Sequence, residues 1–219
     1  WRVVHRAARQ LGCLVLNLPF SYLGSIVGDN MARQQAWGGI VDRVKKKLSK
    51  WKMKMLSIGG RLTLVKSVLG SLPIYNFSIF KVPKCVLNEL EGIRRKFFNG
   101  HVQDSKKGSW LNWNNVLMSK DRGGLGVSNL YAINRGLLVK CVWRFVSQRN
   151  SLWARSIKAI HGSLFQSGFQ VKKGHNSCWR NIIKEVESLS KQGIHVLNYL
   201  RIKLGDGKSS KICFLVFMP

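Results

Sequence analysis

The chain has 219 residues, enough for one large or two small domains with a buried core, and 45% of them are hydrophobic, which excludes a disordered basic tail. The 37 Lys and Arg residues outnumber 9 Asp and Glu residues, giving a formal net charge of +28. A folded protein with this excess needs a polyanionic partner, either nucleic acid or an anionic membrane surface. Five widely spaced Cys residues with no CxxC pair argue against a disulfide framework, and no apolar run could span a bilayer.

The first 28 residues predict a short basic segment followed by a β-hairpin. Apolar runs at Leu14–Leu16 and Tyr22–Val27 flank a turn at Asn17–Ser21. Gly24 and Gly28 interrupt the second run, which indicates close approach of another backbone. The chain begins with Trp and has no small-residue cleavage site after its first apolar run. We therefore expect a fragment of a longer protein rather than a signal peptide.

The stretch Trp37–Leu72 organises the rest of the chain. It predicts a first basic helix over residues 29–56, a break at Gly59–Gly60, and a second helix over residues 61–71 that ends before Pro73. In the first helix one stripe is apolar, formed by Ile40, Val44, Leu48, Trp51 and Met55. A cationic stripe lies about a quarter-turn away around the same helix. With the cations of the second helix it gives the candidate nucleic-acid-binding set: Arg43, Lys46, Lys47, Lys50, Lys54, Arg61 and Lys66.

The middle of the chain predicts more helices. Residues 74–80 fit either a strand or a helix. Pro83 suits the first turn of a helix with cations in its last turn, and its buried stripe consists of Val86, Leu90, Ile93 and Phe97. The glycine-rich segment Asp121–Gly126 predicts a tight turn. A strong helix then runs from Ser128 or Asn129 to about Gln148.

The last part predicts a short helix over Ser151–Ile160, a linker over residues 161–176, a helix from Cys178 to about Gln192, and two strands, Arg201–Leu204 and Ile212–Phe217. The chain as a whole is therefore expected to be mainly α, a helical bundle with a short N-terminal and a small C-terminal β-hairpin.

Other motifs favour structure over chemistry. The Trp side chains, Trp110, Trp113, Trp143, Trp153 and Trp179, could stack on bases, but their Leu and Val neighbours favour core packing. Gly59–Gly60 and Gly123–Gly126 could cradle a phosphate, but turn geometry accounts for both. His175 and Cys178 have metal-ligand spacing without the four compact ligands that zinc requires.

Several segments in this order resemble the C-terminal half of non-LTR (LINE-type) retrotransposon reverse transcriptases, particularly those of plants. They are LPFSYLGSIVG (18–28), LSKWKMKMLSIGGRLTLVKSVLGSLPIY (48–75), RRKFFNG (94–100), WLNWNNV (110–116), DRGGLGVSNL (121–130) and NRGLLVKCVWRF (134–145). A weaker match joins Ser177–Trp179 to LGDG at 204–207. The resemblance spans nearly the whole chain, and the ordered set is more specific than any single segment.

The resemblance implies four regions. Residues 1–28 would end the polymerase palm with a primer-grip-like hairpin, in which Tyr22, Leu23 and Gly24 help to position the primer end. Residues 29–100 would form a thumb-like helical domain that holds the primer–template duplex. Residues 101–160 would be a helical connection, and residues 161–219 a linker plus a truncated region that precedes a zinc-binding segment.

The chain departs from the family pattern at two places. The catalytic aspartates of the Tyr-x-Asp-Asp motif should lie upstream of residue 18, and no close Asp pair that could hold two metal ions is present. The segment after LGDG lacks the family's Trp and Asp. We therefore expect no catalytic residue, metal site or cofactor here, although the full-length enzyme would use Mg²⁺.

Two functions follow as alternatives. The chain is either a fragment of an RNA-directed DNA polymerase that binds RNA/DNA primer–template and does not catalyse alone, or a non-catalytic RNA- or DNA-binding helical module. In the first case its partners would include the missing palm and fingers domains. A membrane partner is disfavoured because the basic helices also have apolar faces suited to a core. The expected location is intracellular, with the nucleus as the site of the parent activity.

Overall fold

A computed structural model describes residues 2–15, 17–22, 24–49, 56–100, 111–162 and 177–196, and the backbone of 203–204 and 211–212. Helices dominate the described residues, and a short antiparallel hairpin lies near the N-terminus, as the sequence predicts. The elements in chain order are α1 Arg2–Gln10, β1 Phe20–Tyr22, β2 Ser25–Val27, α2 Gly38–Ser49, α3 Ile58–Leu64, α4 Ile74–Ile79, α5 Lys84–Phe98, α6 Trp113–Leu117, α7 Leu130–Ser147, α8 Leu152–His161, α9 Cys178–Lys191, β3 Lys203–Leu204 and β4 Lys211–Ile212.

The strands of the N-terminal hairpin are not the two predicted apolar runs. Phe20 pairs with Val27 and Tyr22 with Ser25, so the chain reverses between Tyr22 and Ser25 and not at residues 17–21. Gly24 makes this tight turn possible because its φ is +81°. The basic segment before the hairpin forms helix α1, which the sequence analysis did not predict.

The predicted close approach at the hairpin glycines involves side chains and not backbone. A Cβ atom on Gly24 would meet the Arg43 guanidinium, and one on Gly28 would meet the side chain of Leu18. The expectation of a backbone neighbour was therefore wrong, because the nearest neighbours of both positions are side chains.

The two basic helices have shifted boundaries. A 3-10 turn at Gln34–Trp37 precedes α2, and the indole of buried Trp37 donates to the Met31 carbonyl oxygen at 2.9 Å. Gly59 and Gly60 were predicted to end a helix but lie in the first turn of α3. The reason is a side-chain cap, because Ser57 Oγ accepts the Gly60 amide at 3.1 Å.

Beyond α3 the chain continues through a five-residue π-helical segment, Val65–Leu69, and turns before Pro73. Residues 74–79, which fitted either a strand or a helix, form helix α4. Asn134 of α7 ties the end of α4 to the rest of the bundle. Its buried amide donates to the carbonyl oxygens of Phe77 and Phe80, at 2.8 and 2.9 Å, and accepts from the Val82 amide at 3.2 Å.

Two hydrophobic cores share helix α7. The first core contains buried side chains from Met31 to Leu130, and the second contains buried side chains from Leu138 to Val196. The N-terminal half of α7 packs on the first core and its C-terminal half belongs to the second. Among the described residues, no helix has both the length and the apolar character needed to cross a membrane.

The predicted C-terminal hairpin is described only in part. Lys203 pairs with Ile212 and Leu204 with Lys211 in an antiparallel ladder of two residues on each strand. The remaining residues of the two predicted strands, the predicted linker after Gly162, and the turn at 205–207 lie outside the described residues.

Candidate nucleic-acid interface

Helix α2 separates an apolar face from a cationic side. Ile40, Val44 and Leu48 of the predicted apolar stripe are buried, and Val41 joins them. Arg43 and Lys47, one turn apart, are exposed beside this face. The 3.6-residue period of the helix produces this separation, because positions 43 and 47 lie nearly a quarter-turn from the centre of the buried face. The cationic side of α2 is therefore available to a partner.

The opposite flank of α2 faces helix α5. Lys45 Nζ lies 3.0 Å from Glu89 Oε1, and both side chains are partly exposed. An open cleft of about 780 Å³ lies here, lined in part by Arg33, Asp42, Lys45 and Glu89. Two carboxylates make it unsuited to a phosphate, so the cationic side of α2 is the stronger candidate.

The hairpin contacts this cationic side. The Arg43 guanidinium donates through Nη2 to the Gly24 carbonyl oxygen and through Nε to the Gly39 carbonyl oxygen at 3.2 Å. The side chain of Tyr22, on the other side of the turn, remains 59% exposed. Two sets of residues that the sequence predicted separately, the primer-grip-like hairpin and the basic helix, are thus in direct contact.

The remaining cations of the predicted basic set differ in their contacts and exposure. Arg61 of α3 donates to the carbonyl oxygens of Leu56 and Phe98, at 3.1 and 3.3 Å, and so joins α3 to the end of α5. Lys66 is exposed and makes no ion pair with any described residue. Lys46 is also exposed. Lys50, Lys54 and Leu23 lie outside the described residues.

A buried ion pair on α5 was missed. Arg94 was predicted as one of the cations in the last turn of this helix, and no partner was predicted for it, but its side chain is 2% exposed and its Nη1 lies 3.0 Å from Glu91 Oε1. Burial lowers the pKa of Arg94, and the neighbouring Glu91 carboxylate opposes this effect. The signal was present in the sequence, because position 94 continues the spacing of Val86 and Leu90 on the buried stripe.

A buried carboxylate on α9, that of Glu185, was not predicted as part of any site. Its Oε2 lies 2.7 Å from Lys81 Nζ, and its Oε1 accepts a hydrogen bond from Arg135 Nε. Burial by itself would raise the pKa of Glu185, but the hydrogen bonds and charges of Lys81 and Arg135 outweigh it and hold that pKa below its usual value. These partners are distant in sequence, so no local pattern indicated them.

Three of the predicted tryptophans, Trp113, Trp153 and Trp179, pack on the cores as expected. Trp153 and Trp179 meet edge to face with ring centroids 5.7 Å apart, and Phe145 lies 4.8 Å from Trp179. Trp113 donates its indole N–H to Glu91 Oε2 at 3.0 Å. Trp110 lies outside the described residues. These rings build the interior rather than a base-stacking surface.

Metal and thiol chemistry find no support in the described part of the chain. It contains no cluster of three His, Cys, Asp or Glu side chains that could hold a metal ion, and His175 lies outside it. The half-buried Cys141 thiol contacts the Ser78 carbonyl oxygen at 3.1 Å, and burial raises its pKa. A raised pKa keeps the thiol protonated at neutral pH, which disfavours a nucleophilic role.

The glycine-rich turn at residues 121–126 is structural. Gly123 adopts a left-handed conformation with φ +79°, and a Cβ on Gly124 would lie 2.1 Å from the Met118 carbonyl oxygen. Both facts require glycine for the path of the backbone. The turn delivers the chain to Asn129, whose side chain caps α7 by accepting the Tyr131 amide at 2.8 Å.

Two plant proteins are similar to this chain. The first, from Arabidopsis thaliana, carries the provisional name of a ribonuclease H protein; it is 35% identical over 164 residues, which are 74% of this chain and 26% of that protein. The second, an uncharacterized mitochondrial protein of Arabidopsis thaliana, is 28% identical over 146 residues, which are 65% of this chain and 89% of that protein. The chain thus spans about a quarter of the length of the first relative. No protein-family model matches the chain, and no solved structure matches it significantly.

Proposed function

We propose that this chain is a portion of a retrotransposon RNA-directed DNA polymerase and that it holds an RNA/DNA primer–template duplex through the cationic side of α2 and the residues that follow. The single observation that carries the proposal is the exposed pair Arg43 and Lys47 beside a buried apolar face, in a chain of net charge +28. Such a surface contacts phosphates and positions a duplex without reading its sequence.

Two further observations support this reading. One relative is named for ribonuclease H, which is an activity on nucleic acid. The resemblance to LINE-type reverse transcriptases assigns residues 1–28 to the end of the palm and residues 29–100 to a thumb, and the contact between Gly24 and Arg43 is compatible with that assignment. The catalytic aspartates and their Mg²⁺ would belong to another part of the parent enzyme. We therefore expect no primer extension by this chain alone.

Salt dependence is the direct test. If about six cations each neutralise one phosphate, log affinity for an RNA–DNA hybrid should fall with log salt with a slope of about −5. Replacing Lys47 and Lys66 with Gln should make the slope less negative by about 2 and weaken binding equally for unrelated sequences. Fluorescence anisotropy with labelled hybrids measures both quantities.

A matched control removes charge elsewhere. Lys184 is an exposed cation on α9, the helix whose apolar side chains belong to the second core. Its replacement with Gln should leave the slope unchanged. If the affinity of the wild-type chain does not change between low and moderate salt, the proposal is overturned. It is also overturned if the Lys184 variant changes the slope as much as the variant at Lys47 and Lys66 does.

The second candidate function is a non-catalytic RNA- or DNA-binding module, which could use the same exposed cations Arg43 and Lys47 of α2. Both candidates bind nucleic acid, so binding does not separate them. The genomic DNA immediately upstream does: an in-frame Tyr-x-Asp-Asp block identifies a polymerase parent, and its absence favours the module.

A further inference from the structure

Arg43 is held at two points, which distinguishes it from Lys47, the exposed cation one turn later on α2. Its Nε donates to the Gly39 carbonyl oxygen one turn earlier in its own helix, at 3.2 Å. Its Nη2 donates to the Gly24 carbonyl oxygen at the tip of the hairpin. The planar guanidinium therefore spans from α2 to the hairpin. Lys47, one turn later, makes no ion pair with any described residue.

Gly24 is shaped to receive this guanidinium. Its φ of +81° is a conformation that residues with a side chain rarely adopt, and a Cβ at this position would lie 2.5 Å from Arg43 Nη1. The second constraint concerns space and is the weaker of the two, because the contacted atom is the end of a flexible side chain that would have to move away. The hairpin tip and the arginine thus fit each other closely.

A second contact anchors the hairpin through Ser25, the first residue of strand β2. The Ser25 hydroxyl donates to Asn76 Oδ1 of α4, and both residues are buried. The hairpin is therefore attached to α4 at Ser25 and to α2 at Gly24. Tyr22, which pairs with Ser25, keeps its exposed side chain. Its position relative to α2 depends on these two attachments.

We propose that Arg43 is a positioning residue: it latches the Gly24 turn onto α2 and so sets Tyr22 and the cationic side of α2 into one composite duplex-binding surface. This inference rests on the proposed function and revises it, because Arg43 then contributes mainly through the hairpin and Lys47 through phosphate. Lysine cannot replace Arg43, since a single ammonium on a flexible stem lacks the planar fork that reaches both carbonyl oxygens.

The experiment compares Arg43→Lys, Gly24→Ala and Lys47→Gln with wild type in two measurements. Amide hydrogen exchange of peptides covering residues 20–27 reports the attachment of the hairpin. Anisotropy with an RNA–DNA hybrid across salt concentrations reports affinity and slope. Far-UV circular dichroism confirms that each variant remains folded, and Arg43→Lys keeps the proposal testable if Gly24→Ala does not.

Arg43→Lys keeps the charge, so its salt slope should equal that of wild type. The amides of its hairpin should exchange faster, and its affinity for the hybrid should fall about tenfold, as expected for two lost hydrogen bonds. Gly24→Ala should show the same pattern. Lys47→Gln should keep wild-type exchange and make the slope less negative by about 1.

Two results would overturn the latch: wild-type exchange in Arg43→Lys, or faster exchange with unchanged affinity. If the wild-type chain binds no RNA–DNA hybrid even at low salt, that result overturns the proposed function instead of the latch. The exchange data would then still decide whether Arg43 holds the hairpin.

Discussion

The two cores of this protein are each joined to neighbouring elements through a carboxylate, Glu91 in the first and Glu185 in the second; Glu185 is buried, Glu91 is partly buried, and the two are satisfied in different ways. Glu91 accepts from Arg94 of its own helix at 3.0 Å, from the Leu130 amide at 2.8 Å and from the indole of Trp113. Glu185 is held by two cations from separate elements, Lys81 and Arg135. The first is a hub with one charge partner and two neutral donors; the second is an ion triad.

The exposure of the partners decides what each carboxylate contributes. Arg94 is 2% exposed, whereas the side chains of Lys81 and Arg135 are 47% and 17% exposed. Loss of Glu91 would leave a buried cation without its counter-charge, but the partners of Glu185 can turn toward water. In a chain with 9 acids against 37 cations, Glu91 and Glu185 lie where elements meet, so the placement of these two acids and not the number of acids stabilises the fold.

The largest effect is expected for Glu91→Gln. Gln cannot neutralise buried Arg94, and its amide would present an N–H to the indole N–H of Trp113. We expect a loss of about 4 kcal/mol in the free energy of unfolding, measured by urea denaturation. The double variant Glu91→Gln, Arg94→Met should recover part of this loss, because it removes both charges. A loss no larger than that of Glu89→Gln would contradict the distinction between hub and surface pair.

Glu185→Gln should cost less, about 2 kcal/mol at neutral pH, because its partners reach solvent. Its cost should also depend on pH. The pKa of Glu185 is lowered in the folded state, so its contribution is complete above the ordinary carboxyl pKa and is lost as pH falls through the folded pKa. The stability difference between wild type and variant should therefore shrink in acid, as measured by urea unfolding at a series of pH values. A difference that grows in acid would contradict the sign of this pKa shift.

The smallest effect is expected for Glu89→Gln. The pair with Lys45 has side chains that are 35% and 42% exposed. Solvent-exposed pairs contribute about 0.2–1 kcal/mol, so the loss should lie in that range and diminish at high salt. Urea denaturation at low and high salt checks both statements. A larger loss of unfolding free energy that does not depend on salt would contradict this prediction, because it would show that the pair behaves like Glu91 and Glu185 and not like a surface pair.

Much of the fold could be predicted from local signals. The caps at Asn129 and Ser177 mark the starts of α7 and α9, and both helices form where the sequence predicts them. The errors came where two local signals competed. The Gly-Gly pair suggested a helix end, but the Ser57 cap starts a helix there, and Pro19 suggested a turn that Gly24 provides. At these two places the Ser57 side-chain cap and the positive φ of Gly24 decide the backbone path, and the mere presence of glycine or proline does not.

The candidate site was less predictable than the fold. The spacing of residues 40–48 correctly predicted a buried face, and it also placed Arg43 and Lys47 beside that face. It could not show that Arg43 reaches back 19 residues to the Gly24 carbonyl oxygen, or that Arg61 reaches Phe98. Periodicity assigns a residue to one side of a helix, but it contains no information on which distant backbone meets that side.

The sequence by itself determined the net charge, the mainly helical fold, the apolar faces of α2 and α5 and the short N-terminal hairpin, because composition, period and caps act over a few residues. Only the tertiary structure decided which cations are structural. Buried Arg94 pairs with Glu91, Arg135 pairs with buried Glu185, and Arg43 attaches the hairpin, whereas Lys47 and Lys66 face solvent. The physical reason is that a charge is assigned by its neighbours in space, and packing brings those neighbours from distant parts of the chain.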